Sequence, residues 1–194
     1  MVNDVLEQIA EDYFRDLGYF TQHNIRYRPN IKGPAYAVHS DIDILGIHPH
    51  KKGIERVIVV NCKSWQGGLN IGPYLKVLNS KSGSLRREQS IRRTFQDLLS
   101  REWTKALSDK VYELTGQKEF ILYLALTKYK GDKKLWENFK HFTKNFPNCR
   151  IEIIDLETMI LKIQEILTTT PAHSELSRLM QLIKAGNGKI EYKK

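Results

Sequence analysis

Residues 57–63 read VIVVNCK, and the unbroken run Val57-Ile58-Val59-Val60 constrains this chain more than any other segment. A β-strand turns successive side chains to opposite faces. Four consecutive β-branched residues therefore need an apolar covering on both faces, as in the central strand of a sheet with layers packed on each side. The flanking patterns supply those layers. Val5, Leu6, Ile9, Ala10, Tyr13, Phe14 and Leu17 recur at helical spacing over residues 3–18. Asn3 is the expected N-cap and Gly18 the stop. Strands are expected at Tyr19–Tyr27, Ala35–Ile47, Arg56–Lys63, Phe120–Thr127 and Arg150–Asp155. Between the third and fourth strands, residues 84–115 read as one long helix or two in sequence, with Leu75–Lys81 ambiguous. Lys133–Asn145, Leu156–Leu167 and Ser174–Ala185 read as helices.

The resulting order, α-β-β-β-α-β followed by further helices, predicts an α/β fold. Its mixed sheet has antiparallel pairing among the first three strands and a parallel crossover to the fourth. Residues 1–170 are read as the main domain, and 171–194 as a C-terminal helix with a loose basic tail. No apolar run approaches the ~20 residues of a membrane span. Acids stand near the N-terminus where a secretory signal carries bases. The two cysteines, Cys62 and Cys149, have neither zinc nor disulfide spacing. A cytoplasmic protein without membrane contact is expected.

Lys and Arg number 31 against 22 Asp and Glu, a net charge of +9. Such an excess points toward a polyanion. No acid occurs between Lys63 and Arg87, and Arg92, Arg93, Arg101 and Lys105 follow. On one helix, residues 86, 93 and 101 would share a face and 87 and 105 an adjoining one. Arg86, Arg87, Arg92, Arg93, Arg101 and Lys105 are thus candidate phosphate contacts.

The chemistry-bearing residues sit on adjacent strands. SDIDILGI (40–47) and VIVVNCK, joined by a turn, bring Asp43 near Asn61-Cys62-Lys63. Alternation turns Asn61 and Lys63 to one face and Cys62 to the other. A carboxylate, an amide oxygen and an ammonium gathered there suit a hard divalent cation and a phosphodiester. The plainer alternative is that Asp41 and Asp43 only flank a strand and Lys63 is a surface base. Trp65 is expected beneath the following helix, while Trp103, Tyr112, Tyr123, Trp136, Phe139 and Phe142 read as core.

This arrangement resembles the PD-(D/E)xK phosphodiesterase superfamily, the restriction-endonuclease-like fold, in its Mrr-like or Holliday-junction-resolvase-like branch. The resemblance spans roughly residues 3–127. It consists of a helix bearing Glu7, Gly18-Tyr19 leading into a strand, the Asp of DIDILG, and the lysine ending VVNCK. It implies Mg²⁺ or Mn²⁺ as cofactor and Asp43 as metal ligand. It further implies the backbone carbonyl of Cys62 as another ligand, Lys63 acting on the attacking water or the phosphorane, and Glu7 as an accessory acid. Asn61 stands where the family carries its second acid. Asn61 then binds metal more weakly, another acid (Glu7 best, otherwise Glu88 or Glu102) substitutes, or catalysis is lost. The implied activity is a metal-dependent DNA endonuclease; the alternative is an inactive nucleic-acid-binding module on the same fold. The implied partners are DNA, a second copy for double-strand cleavage, and other subunits of a defence or repair system.

Overall fold

The structure is a computed structural model, and it describes residues 4–31, 38–80, 86–168 and 174–186. Helix α1 (Val5–Asp16) opens the chain. Its N-cap is Asp4 rather than Asn3, with the Asp4 carboxylate accepting the Leu6 N–H at 2.8 Å; Asn3 lies outside the described residues. The helix ends as expected. Gly18, at φ 89°, donates to the Arg15 carbonyl and Tyr19 to that of Phe14, which closes a Schellman motif. A Cβ on Gly18 would also lie 2.8 Å from His48 Nε2.

The sheet has five strands: β1 (Phe20–Tyr27), β2 (Ser40–Ile47), β3 (Val57–Lys63), β5 (Ile121–Leu126) and β7 (Arg150–Asp155), in the spatial order β1-β2-β3-β5-β7. The first three pair antiparallel; β3–β5 and β5–β7 pair parallel. β3 is central and buried on both faces. Val57 and Val59 enter one core, while Ile58, Val60 and Cys62 enter the other. The segment expected to begin at Ala35 joins the sheet only at Ser40, and residues 32–37 lie outside the described part.

One face carries α1, α8 (Leu156–Ile166) and α9 (Glu175–Ala185), which pack through Ile9, Phe14, Met159, Ile163 and Met180. Asp155 caps α8 by accepting the Thr158 N–H, and Ser174 caps α9 by accepting that of Ser177. α9 is also tied to α1: the buried Asp12 carboxylate accepts from the hydroxyls of Ser174 and Ser177. The expected C-terminal tail lies outside the described residues.

The opposite face departs from the expected pattern. The ambiguous stretch forms α2 (Ile71–Asn79). Pro73 stands in its first turn, where a missing N–H costs no helical hydrogen bond. The expected one or two helices over 84–115 are, from Arg86 onward, three: α3 (Arg86–Thr94), α4 (Gln96–Leu99) and α5 (Arg101–Thr115), residues 84 and 85 lying outside the described part. The breaks fall at Phe95 and Ser100. The Phe95 ring is buried against Trp65, Trp136 and Tyr74, and that packing overrides helical continuity. Lys133–Asn145 divides in the same way into α6 (Lys133–Glu137) and α7 (Lys140–Asn145). A two-residue parallel ladder between β4 (Leu69–Asn70) and β6 (Tyr129–Lys130) was not anticipated, being too short to leave a period. Trp65 packs against Tyr74 of α2, as expected. Tyr112 is not core; it is half-exposed, with the Lys118 ammonium over its ring. Among the described residues no helix is long and apolar enough to cross a membrane.

Candidate active site

The β2–β3 ladder runs from Ile47↔Val57 to Ile44↔Val60 and then stops. The next position on β2 is Asp43. Its carboxylate Oδ2 accepts the Cys62 N–H at 2.5 Å, so a side chain replaces the main-chain acceptor where the strands part. Asp43 is buried, and burial pushes its pKa above the ordinary carboxylate range. The Lys63 charge and the Cys62 N–H oppose that shift, while Asp41 and Asp4 add to it.

At the end of β3 the side chains alternate as the sequence requires. Cys62 belongs to the core under α1, and burial holds its thiol protonated, which leaves it unsuited to nucleophilic attack. Asn61 is buried, and its Oδ1 has no hydrogen-bond partner. An unpaired buried oxygen of this kind costs ~1–3 kcal/mol unless something binds it. Lys63, half-buried, ends the strand. Its charge acts on two buried carboxylates, Asp43 and Asp97.

Glu7 approaches from α1. Burial raises its pKa, and Asp43, Asp4 and Asp41 raise it further, so an acidic cluster forms beside Asp43. Glu11, one turn on, is committed elsewhere: it accepts from Thr21 Oγ1 at 2.9 Å and lies 2.7 Å from His23 Nε2. Burial acts to raise the Glu11 pKa, but the His23 and Thr21 hydrogen bonds prevail and hold it low. Of the other substitute acids, Glu102 accepts from Ser100 Oγ at 2.7 Å, and Glu88 stands in the first turn of α3. Among the described residues no group of three or more His, Cys, Asp or Glu is arranged to hold a metal ion. An oxygen set containing Asn61 would fall outside such a group. The oxygens at this strand end, the Asp43 carboxylate with Glu7 near it and the unpaired Asn61 amide oxygen, are of the type hard divalent cations take.

Asp97 was not anticipated. It stands second in α4 and is buried; its Oδ2 accepts from Ser40 Oγ at 3.1 Å, and its backbone carbonyl accepts from Thr104 Oγ1 at 2.8 Å. Asp97 Oδ1 and the Tyr27 hydroxyl lack a hydrogen bond of normal geometry, yet each is near enough to shift the other's pKa. Burial drives the Asp97 pKa up, against the pull of Tyr27, Ser40 and Lys63. The one sequence signal was an acid immediately before the apolar Leu98-Leu99, which a continuous helix reading treats as one more surface charge.

The basic residues do not share one helix. Arg86 and Arg93 are exposed on α3. The Arg87 side chain lies outside the described residues. Arg92 turns inward and donates to the Val77 and Leu78 carbonyls at the C-terminus of α2 (3.2 and 3.5 Å). Arg101 and Lys105 lie on α5, beyond both breaks, so the expected common faces of 86, 93 and 101 and of 87 and 105 do not form. Lys105 pairs with Asp109. No family model, curated protein or solved structure matches the chain.

Proposed function

We propose that the chain is a divalent-metal-dependent DNA endonuclease on a restriction-endonuclease-like fold. The observation that carries this reading is the Asp43 carboxylate held by the Cys62 N–H next to Lys63, with the unpaired Asn61 Oδ1 on the same strand end. Asp43, Asn61 Oδ1, the Cys62 carbonyl and Glu7 would hold Mg²⁺ or Mn²⁺. Such an ion polarises a phosphoryl oxygen and makes its bound water more acidic. The chain's own residues do the rest. Lys63 offers an ammonium to the charge that grows on the phosphorane oxygens. The Cys62 N–H fixes the Asp43 carboxylate before substrate arrives. Arg86, Arg87, Arg93, Arg101 and Lys105 supply positive charge for DNA phosphates. One such site cuts one strand, so double-strand cleavage requires a second copy or a second event.

The test is plasmid nicking with Mg²⁺ or Mn²⁺. Lys63→Ala should lower the rate by about 10²–10³ while leaving DNA affinity and the melting temperature near wild type. Wild-type nicking by this variant would remove Lys63 from the mechanism. Asn61→Asp restores a charge beside Asp43 and should bind Mn²⁺ more tightly by calorimetry. If Glu7 already supplies that charge, affinity rises little and Glu7→Gln is the more damaging change.

The neutral Asn61 in the place of the second acid favours a second reading: a nucleic-acid-binding module without catalysis. It is the correct one if wild type and both Asn61 and Lys63 variants bind DNA but none binds metal or nicks.

A further inference from the structure

A cleft of about 710 Å³ lies between the end of β1, an edge strand, and the outer side of α5. Arg26 and Arg28 line it from β1 and the turn that follows, and Arg101 from the first turn of α5. Tyr27 forms part of the wall; on its buried side it meets Trp103 edge-on and approaches Asp97. The cleft therefore opens at the same end of the sheet as Lys63, because β1 ends, β2 begins and β3 ends there.

Two of its three acids are ion-paired, Asp109 with Lys105 and Glu113 with Lys110 at 2.9 Å. The third, Glu102, accepts from Ser100 Oγ and feels the Arg101 charge. Arg26, Arg28 and Arg101 have no ion pair among the described residues. Three unpaired guanidiniums around one concavity are matched to an anion with several separated charges. Guanidinium forks suit phosphate oxygens in particular. Tyr27 is buried, so its ring offers no open face for stacking, and the exposed ring in the lining is the His39 imidazole.

We infer that this cleft binds the phosphates of one strand of duplex DNA next to the Asp43–Lys63 site, through Arg26, Arg28 and Arg101. This rests on the endonuclease reading for its substrate and adds two arginines of β1 and its following turn to the basic residues evident in sequence. These guanidinium contacts are with backbone phosphates, so they are independent of base sequence.

The experiment measures affinity for a fluorescent 20-base-pair duplex by anisotropy, without metal, from 50 to 200 mM salt. It compares wild type with Arg26→Gln/Arg28→Gln/Arg101→Gln. A control, Arg15→Gln/Lys162→Gln/Lys184→Gln, removes equal charge from the opposite face of the sheet. Each phosphate contact contributes about 0.9 to the slope of log K against log salt. Across that salt range wild type should lose about 40-fold more affinity than the cleft variant, by three contacts at that slope. The control should keep the wild-type slope. An unchanged slope in the cleft variant, an equal change in both variants, or no binding of the duplex by wild type would each overturn the inference. Nicking by wild type and Lys63→Ala, run beside it, separates the two readings. Lys63-dependent nicking with an unaltered cleft slope leaves the endonuclease standing and the cleft refuted.

Discussion

The two faces of the sheet are built differently. On one, α1, α8 and α9 are regular helices with side-chain N-caps, and they bury aliphatic stripes. On the other, the helices α2 to α7, several only one or two turns long, surround a cluster of rings in which Phe95, Trp136 and Phe142 meet edge to face. The first face is held by repeated local pattern and the second by contacts between residues distant in sequence. The difference shows where polar groups can be kept inside. Short helices with breaks between them leave room for Asp97, Ser40 and Tyr27 among apolar neighbours, and the arginine-lined cleft opens on this face. Asp43 and Lys63 belong to the sheet between the two layers; Glu7 approaches Asp43 from the regular side, and the Lys63 charge acts on Asp97 on the irregular one.

The ring cluster is the strongest test of that contrast. Trp136 is fully buried between Phe95 and Phe142, and Trp136→Ala should cost about 3–5 kcal/mol in chemical denaturation. A loss below 1 kcal/mol would mean that the cluster does not hold the irregular layer together. Next comes Asp97→Ala, which leaves the partly buried Ser40 hydroxyl without its acceptor and should cost about 1–3 kcal/mol.

Asp97→Asn isolates charge from shape. Because burial raises the native Asp97 pKa, the folded chain holds this proton at pH values where the unfolded chain has released it. Stability therefore falls as pH rises from the ordinary Asp range through the native pKa, and below that range the penalty vanishes. Melting temperatures at pH 4 and pH 7 should show a greater relative loss at pH 7 for wild type than for Asp97→Asn. Parallel behaviour of the two proteins would refute a buried, charge-penalised Asp97. The smallest effect is expected on the regular face. Asp12→Ala removes the carboxylate that accepts from Ser174 and Ser177, and should loosen α9 locally by about 1 kcal/mol. Hydrogen exchange should report faster amide exchange in α9 with the sheet unchanged; slowed or unaltered exchange would assign the α9 contact to Met180 packing alone.

Much of the regular face could be read from the chain. The spacing of Leu6, Ile9, Ala10 and Phe14 defines the buried side of α1 without help from elsewhere, since helical periodicity is local. The Val57–Val60 run likewise identifies the central strand, and strand alternation alone separates Asn61 and Lys63 from Cys62. The approach of Asp43 to that strand end followed from two adjacent strands joined by a short turn.

What the sequence could not carry is set by long-range packing. Apolar spacing continues through Phe95 and Ser100, so a period cannot show that the chain turns there; only burial of the Phe95 ring against Trp65 and Trp136 decides it. That turn buries Asp97 beside Ser40. It also separates Arg101 from Arg93 and brings it to Arg26 and Arg28. Arg92 reads as one more surface base until the end of α2 lies beneath it with open carbonyls. Local sequence determines which segments are helix or strand and which face is apolar. The positions of charge depend on which segments meet, because a carboxylate or guanidinium takes its surroundings from neighbours that the chain supplies from far away.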